Sequence, residues 1–65
     1  MQLTISGEPR KVSARTVLAL LAELGLNPAV TVVELNGVIV DRAAYGETTL
    51  KEGDLLELVR LVGGG

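Results

Sequence analysis

The chain contains no cysteine, no histidine, no tryptophan and no phenylalanine, and Tyr45 is its one aromatic residue. Each absence closes a class of function. Without cysteine there is no disulfide, no thiolate metal site and no cysteine nucleophile. Without histidine there is no imidazole ligand and no side chain that ordinarily titrates near neutral pH. Hydrolytic triads that need either residue are excluded. An excess of either charge is missing as well: six Lys and Arg stand against eight Asp and Glu, a formal net charge of −2. The basic residues are scattered, with Arg10-Lys11 the one adjacent pair. The sequence therefore has neither the basic stripe nor the aromatic platforms that nucleic-acid binders use. The longest unbroken apolar run is Val17 to Ala22, far short of the ~20 residues of a spanning helix. The start, Met1-Gln2-Leu3-Thr4, lacks the basic and apolar regions of a signal peptide. A cytoplasmic chain with neither nucleic acid nor membrane as partner is expected.

What is present is aliphatic. Hydrophobic residues make up 48% of the 65, too many for a disordered chain. A chain of this size buries only about 60% of its unfolded surface, so one core and one domain are the ceiling. With almost no aromatic side chain available, Val, Leu and Ile must fill that core.

Leu3 and Ile5 alternate with Gln2, Thr4 and Ser6, the period of a half-buried strand. Gly7-Glu8-Pro9 reads as a turn, with Lys11-Val12-Ser13 returning as the second arm of a hairpin. Thr16 is placed to cap a helix in which Val17, Leu20, Leu21 and Leu24 share one face, with Leu18 widening the stripe. Gly25 stands where that helix would end, and Pro28 follows in the loop. Thr31 to Leu35 is a β-branched run, then Asn36-Gly37, then Val38-Ile39-Val40. Asn-Gly between apolar runs marks a hairpin, because a type I′ turn needs positive φ at both positions. Asp41 to Thr49 has no period and reads as irregular, with at most one helical turn and with Tyr45 packing against the sheet. Glu52-Gly53-Asp54 is a turn, and Leu55 to Val62 a strand leading into Gly63-Gly64-Gly65. One amphipathic helix can cover one face of a mixed sheet of four or five strands. The pattern predicts an α+β chain of β-grasp, or ubiquitin-like, architecture. Residues 1–62 are expected to form the domain and 63–65 a flexible tail.

The parity of the strands divides the side chains between two faces. If Val33, Leu35, Leu56 and Leu58 face the helix, then Val32, Glu34, Glu57, Val59 and Leu61 face away. Apolar residues rimmed by charge on an open face mark a protein-docking surface, although single valines and leucines on a surface are also normal. The glycine tail has no Cβ to obstruct a narrow channel. Extended from Val62 it spans on the order of 10 Å, with the carboxylate of Gly65, ionised at neutral pH, at its tip. A frayed end or a linker has the same composition. A carboxylate is a poor electrophile, and adenylation by another enzyme would make it a good one.

Asn36-Gly37 followed by Val40, Arg42 and Tyr45, then Leu50-Lys51-Glu52-Gly53-Asp54, then Leu55 through Val62 into Gly63-Gly64-Gly65, resembles the ThiS family of bacterial sulfur carriers of thiamine biosynthesis. The likeness covers essentially the whole chain. Its most specific part is the Gly-Asp turn and the aliphatic strand that runs into the glycines. Asp41 stands where a proline is common in the family, and Tyr45 where a tryptophan is common. The resemblance implies that an E1-like, ThiF-like adenylyltransferase uses MgATP to form an acyl-adenylate at Gly65. A cysteine desulfurase or rhodanese-type donor then supplies sulfur, leaving a thiocarboxylate that a ThiG-like thiazole synthase consumes. On this reading the chain binds no metal and no cofactor itself, and contributes no catalytic residue.

Three other readings are open at this stage. A sibling carrier, for molybdopterin synthesis, tRNA thiolation or protein conjugation, would use the same tail. Arg60-Leu61-Val62 stands where the molybdopterin carrier tends to have proline and aromatic residues. A ubiquitin-like binding module would dock by its sheet and have no use for a terminal Gly-Gly. An enzyme would have to draw on Asp41, Asp54, Glu57, Lys11 or Lys51, of which Asp54, beside Gly53, fits turn chemistry better.

Overall fold

The structure, a computed structural model, describes residues 1–61. Five strands form one sheet: β1 (Gln2–Ile5), β2 (Glu8–Lys11), β3 (Thr31–Leu35), β4 (Val38–Ile39) and β5 (Leu55–Arg60). A single α-helix, α1 (Val17–Glu23), packs on one side, and two 3-10 turns lie at Pro28–Val30 and Arg42–Ala44. The strand order is β2-β1-β5-β3-β4. β1 and β5 are parallel, and every other neighbouring pair is antiparallel. This is the mixed β-grasp sheet that the pattern predicts. The expected last strand reached Val62; β5 ends at Arg60, and Val62 and the glycine tail lie outside the described residues.

The first hairpin differs from the sequence expectation. Its turn is Ser6-Gly7, with φ of 50° and 83°, not Gly7-Glu8-Pro9. Positive φ at both central residues matches the twist of the flanking strands, and Ile5 therefore pairs directly with Glu8. The returning arm is Glu8–Lys11 rather than residues 11–13, and Pro9 lies inside it, opposite Thr4. Proline is tolerated there because β2 is an edge strand and needs no donor on its outer side. The second hairpin is as expected: Asn36 and Gly37 have φ of 50° and 84°, and Leu35 pairs with Val38.

The helix is seven residues long, and all the donors of its first turn are accounted for. Thr16 accepts from the Ala19 N–H through its hydroxyl and from the Leu20 N–H through its carbonyl. The Val17 and Leu18 N–H groups donate to the carbonyls of Thr48 and Tyr45. These free donors are what holds the aperiodic segment in place. At the other end Gly25 takes φ of 72°, its N–H reaches the Ala22 carbonyl, and the Leu26 N–H reaches Leu21, a Schellman closure. Leu18, read as part of the apolar stripe, is instead largely exposed. Glu23 lies off that stripe, and its carboxylate accepts from the Ser13 and Ala14 N–H groups, at 2.9 Å from the latter. It thereby anchors the loop entering the helix.

Val17, Leu20 and Leu21 of the helix meet Leu3, Val33 and Leu56 of the sheet, all essentially fully buried. Tyr45 closes the β4 end of this core. Its ring is buried, and its hydroxyl donates to the Thr31 carbonyl at 2.6 Å. The β4 ladder has run out at that point, since Val40 N–H on Val33 is its last bond. Tyr45 supplies the donor that the missing strand does not. Three substitutions check this packing by urea denaturation. Leu56→Ala should cost about 2–5 kcal/mol, whereas Leu55→Ala on the opposite face should change stability by no more than about 0.5 kcal/mol. Tyr45→Phe, which leaves a buried carbonyl without its donor, should cost about 1–3 kcal/mol.

Candidate functional site

The helix covers one sheet face, and the other is open. The register places the five predicted docking residues together on it. Val32 of β3 stands opposite Val59 of β5, and Glu34 opposite Glu57. Leu61 follows directly after β5, its N–H donating to the Val30 carbonyl at 2.7 Å, and alternation puts its side chain on the same side. Val59 and Leu61 are 55% and 51% exposed, while Val32 and Glu34 are half-buried within the sheet. The expected core partners behave accordingly: Leu56 is buried, and Leu58 and Leu35 pack against the core.

Two residues of this face escaped the sequence reading. Ile39 is registered opposite Glu34 on β4 and is 66% exposed. Leu55 lies beside Thr4 in the parallel pair and is 57% exposed. Leu55 was legible in principle, because it shares parity with Glu57 and Val59. Ile39 was not, because its face depends on the two-residue length of the Asn36-Gly37 turn. The open face is thus an apolar surface of Leu55, Val59, Leu61, Ile39 and Val32 with two carboxylates in its middle.

One end of the face is stiffened by a polar clasp. Asn36 donates from Nδ2 to Asp54 Oδ1 at 3.0 Å and accepts the Leu55 N–H on its Oδ1. Asp54 also accepts the Lys51 N–H through Oδ2 at 2.8 Å. The second hairpin turn and the Lys51–Asp54 turn are thereby locked together at the start of β5. At the other end Arg42 donates from Nε to the Pro28 carbonyl, joining the two 3-10 turns.

The side chains considered as an enzyme's machinery are dispersed. Asp54 serves the turn, and Asp41 accepts the Ala43 N–H at the start of the second 3-10 turn. Lys11 ends the edge strand, Lys51 belongs to the turn before β5, and Glu57 lies on the open face. Among the described residues no three Asp or Glu converge in a way that could hold a metal ion. No helix among them is long and apolar enough to cross a membrane. Gly63, Gly64 and Gly65 lie outside the described residues.

One helix on a five-stranded mixed sheet of order 2-1-5-3-4, with an exposed apolar face, defines a ubiquitin-like β-grasp protein. Known structures agree. A crystal structure of the thiamine biosynthesis protein ThiS from Geobacter metallireducens superposes with a TM-score of 0.85 at 38% identity, covering all of both chains. A solution structure of a thiamine biosynthesis protein from the same organism superposes with a TM-score of 0.79 at 40% identity, over all of this chain and 88% of the other. The model of the ThiS family matches residues 3–65. The sulfur carrier protein ThiS of Bacillus subtilis is 36% identical over 55 residues, which is 85% of this chain and 83% of that one. The chain belongs to the ThiS family. It also matches, over its whole length, proteins named thiazole synthase from Paramagnetospirillum magneticum and Magnetococcus marinus, at 46% and 41% identity. The chain spans 20% of the length of each of those two proteins.

Proposed function

We propose that this chain is a sulfur carrier whose reactive group is the carboxylate of Gly65, and that its sulfur goes to a thiazole synthase for the thiazole of thiamine. Membership of the ThiS family is the observation that carries this reading. A ThiF-like adenylyltransferase transfers AMP from MgATP to the Gly65 carboxylate and releases pyrophosphate. The terminal sulfur of a persulfide on a cysteine desulfurase or rhodanese-type donor then attacks the acyl-adenylate carbonyl and displaces AMP, giving an acyl disulfide with the donor cysteine. A thiol reductant cleaves its S–S bond to leave the thiocarboxylate while being oxidised to a disulfide. The chain acts as co-substrate in the cytoplasm and performs no catalysis of its own. ATP and magnesium belong to the partner.

The geometry supports this division of labour. The sheet presents an exposed apolar face, and Leu61, directly after β5, belongs to that face. A partner seated on Val32, Glu34, Glu57, Val59 and Leu61 therefore meets residues 62–65 next along the chain. The glycines are the proposed tail, thin enough for the narrow entrance of an active site. Two relatives named thiazole synthase contain a segment like this whole chain. That pairing within single polypeptides favours thiazole synthase as the acceptor over the acceptors of sibling carriers.

Intact-mass measurement tests the chemistry. Incubation with the cognate adenylating enzyme, MgATP and a sulfur donor should give a species heavier by the exchange of one oxygen for sulfur, and an unchanged mass with active enzyme refutes the assignment. Removal of Gly64 and Gly65 should abolish that product and leave the melting temperature nearly unchanged. Val59→Asp or Leu61→Asp should weaken binding to the adenylating enzyme without unfolding the chain. Unaltered binding would mean that another surface docks.

A further inference from the structure

The open face carries a charge arrangement that works against the free protein. Glu34 and Glu57 stand directly opposite each other on adjacent antiparallel strands. Side chains so placed have Cβ atoms about 4.5–5.5 Å apart, and like charges there destabilise the sheet. The residues registered beside the pair are Val32, Val59 and Ile39, and none of them is basic. Val59, Ile39 and Leu55, which alternates with Glu57 along β5, are all more than half exposed. Thr4, Gly7 and Gly37 complete the surroundings of the pair and add no charge, so two carboxylates within a mainly apolar, uncharged rim are the complement of one cation in the middle of an apolar surface.

We propose that Glu34 and Glu57 together receive one arginine guanidinium presented from the apolar docking surface of the adenylating partner. The inference rests on the carrier reading above and adds the chemistry of the partner's surface. A guanidinium is planar, offers five donors and is weakly hydrated, so it can engage two carboxylates at once inside a rim that excludes water. An ammonium is compact and strongly hydrated and fits that enclosure less well. Docking relieves the repulsion between the two carboxylates, so the pair opposes the isolated sheet and favours the complex. It also provides selection. An apolar surface without a cation would bury two unpaired charges, which is costly enough to reject it.

The test compares wild type with the E34Q/E57Q double variant, using calorimetric titration of the full chain onto the cognate adenylating enzyme. Glu47→Gln, exposed and in the segment bound to the helix N-terminus on the other side of the sheet, serves as control. At low salt the double variant should bind about tenfold or more weakly than wild type, and the control should bind as wild type does. Raising the salt from about 0.05 M to about 0.5 M should weaken wild type and the control but leave the double variant nearly unaffected. The double variant should melt at or above the wild-type temperature, because the repulsion is gone. Equal affinity and equal salt dependence of wild type and double variant would overturn the inference. So would a double variant that melts well below wild type, since the pair would then be held by contacts within the chain. If wild type gains sulfur but the double variant is loaded and bound equally well, the arginine inference fails and the carrier reading stands. If wild type gains no sulfur at all, the carrier reading fails and the inference falls with it.

Discussion

The sheet depends on its last strand. The hairpins β1–β2 and β3–β4 are local structures, and nothing in either one joins it to the other. β5 lies between them, parallel to β1 and antiparallel to β3. Leu56 is the residue where both ladders meet, paired with Ile5 on one side and Leu35 on the other, and its side chain reaches into the core. Until residues 55–60 return to the start of the chain, neither hairpin has a buried face wide enough to hold α1. Non-local pairing of this kind carries the loop-closure cost of the fold, and the turns before it are shaped to reduce that cost. The clasp of Asn36 with Asp54 and Leu55 delivers the chain to β5 in register.

A second constraint follows from the helix being alone. Seven residues present one apolar stripe, and Val17, Leu20 and Leu21 spend it entirely on the core. Among the described residues no element covers the other side of the sheet, and Leu55, Val59, Leu61 and Ile39 are exposed there. In the carrier role proposed above, that exposed side is what the partner enzyme holds, and the carboxylate of Gly65 is what it reacts with. Neither needs cysteine or histidine.

The fold was largely legible because its signals are local. Alternation in Leu3 and Ile5, the helical spacing from Val17 to Leu24 and the Asn36-Gly37 turn each declare an element within a few residues. The open face was legible through parity, which assigns Val32, Glu34, Glu57, Val59 and Leu61 to one side as soon as Val33 and Leu56 are taken as core. Misreadings came where two local signals competed. Ser6-Gly7 and Gly7-Glu8-Pro9 are both turn-like, and pairing with β1 decided for the former, pulling Pro9 into an edge strand. The segment from Asp41 to Thr49 carries no period, because it bonds to itself only through a short 3-10 turn and the turns around Ala44, and its other bonds run to the helix N-terminus and to β3.

By itself, then, the sequence determined the helix, the Asn36-Gly37 hairpin, a last aliphatic strand and the central side chains of the core, and that neither cysteine nor histidine is on hand, since these follow from residue type and spacing alone. Only the tertiary structure decided what stands beside what. It set Glu34 against Glu57, added Ile39 and Leu55 to the open face, gave the Tyr45 hydroxyl to a carbonyl that lacked a strand partner, and made Glu23 an anchor for a loop. Those relations depend on strand register and turn length. Register is fixed by the fit of a whole apolar face against the helix, which no short stretch of sequence contains.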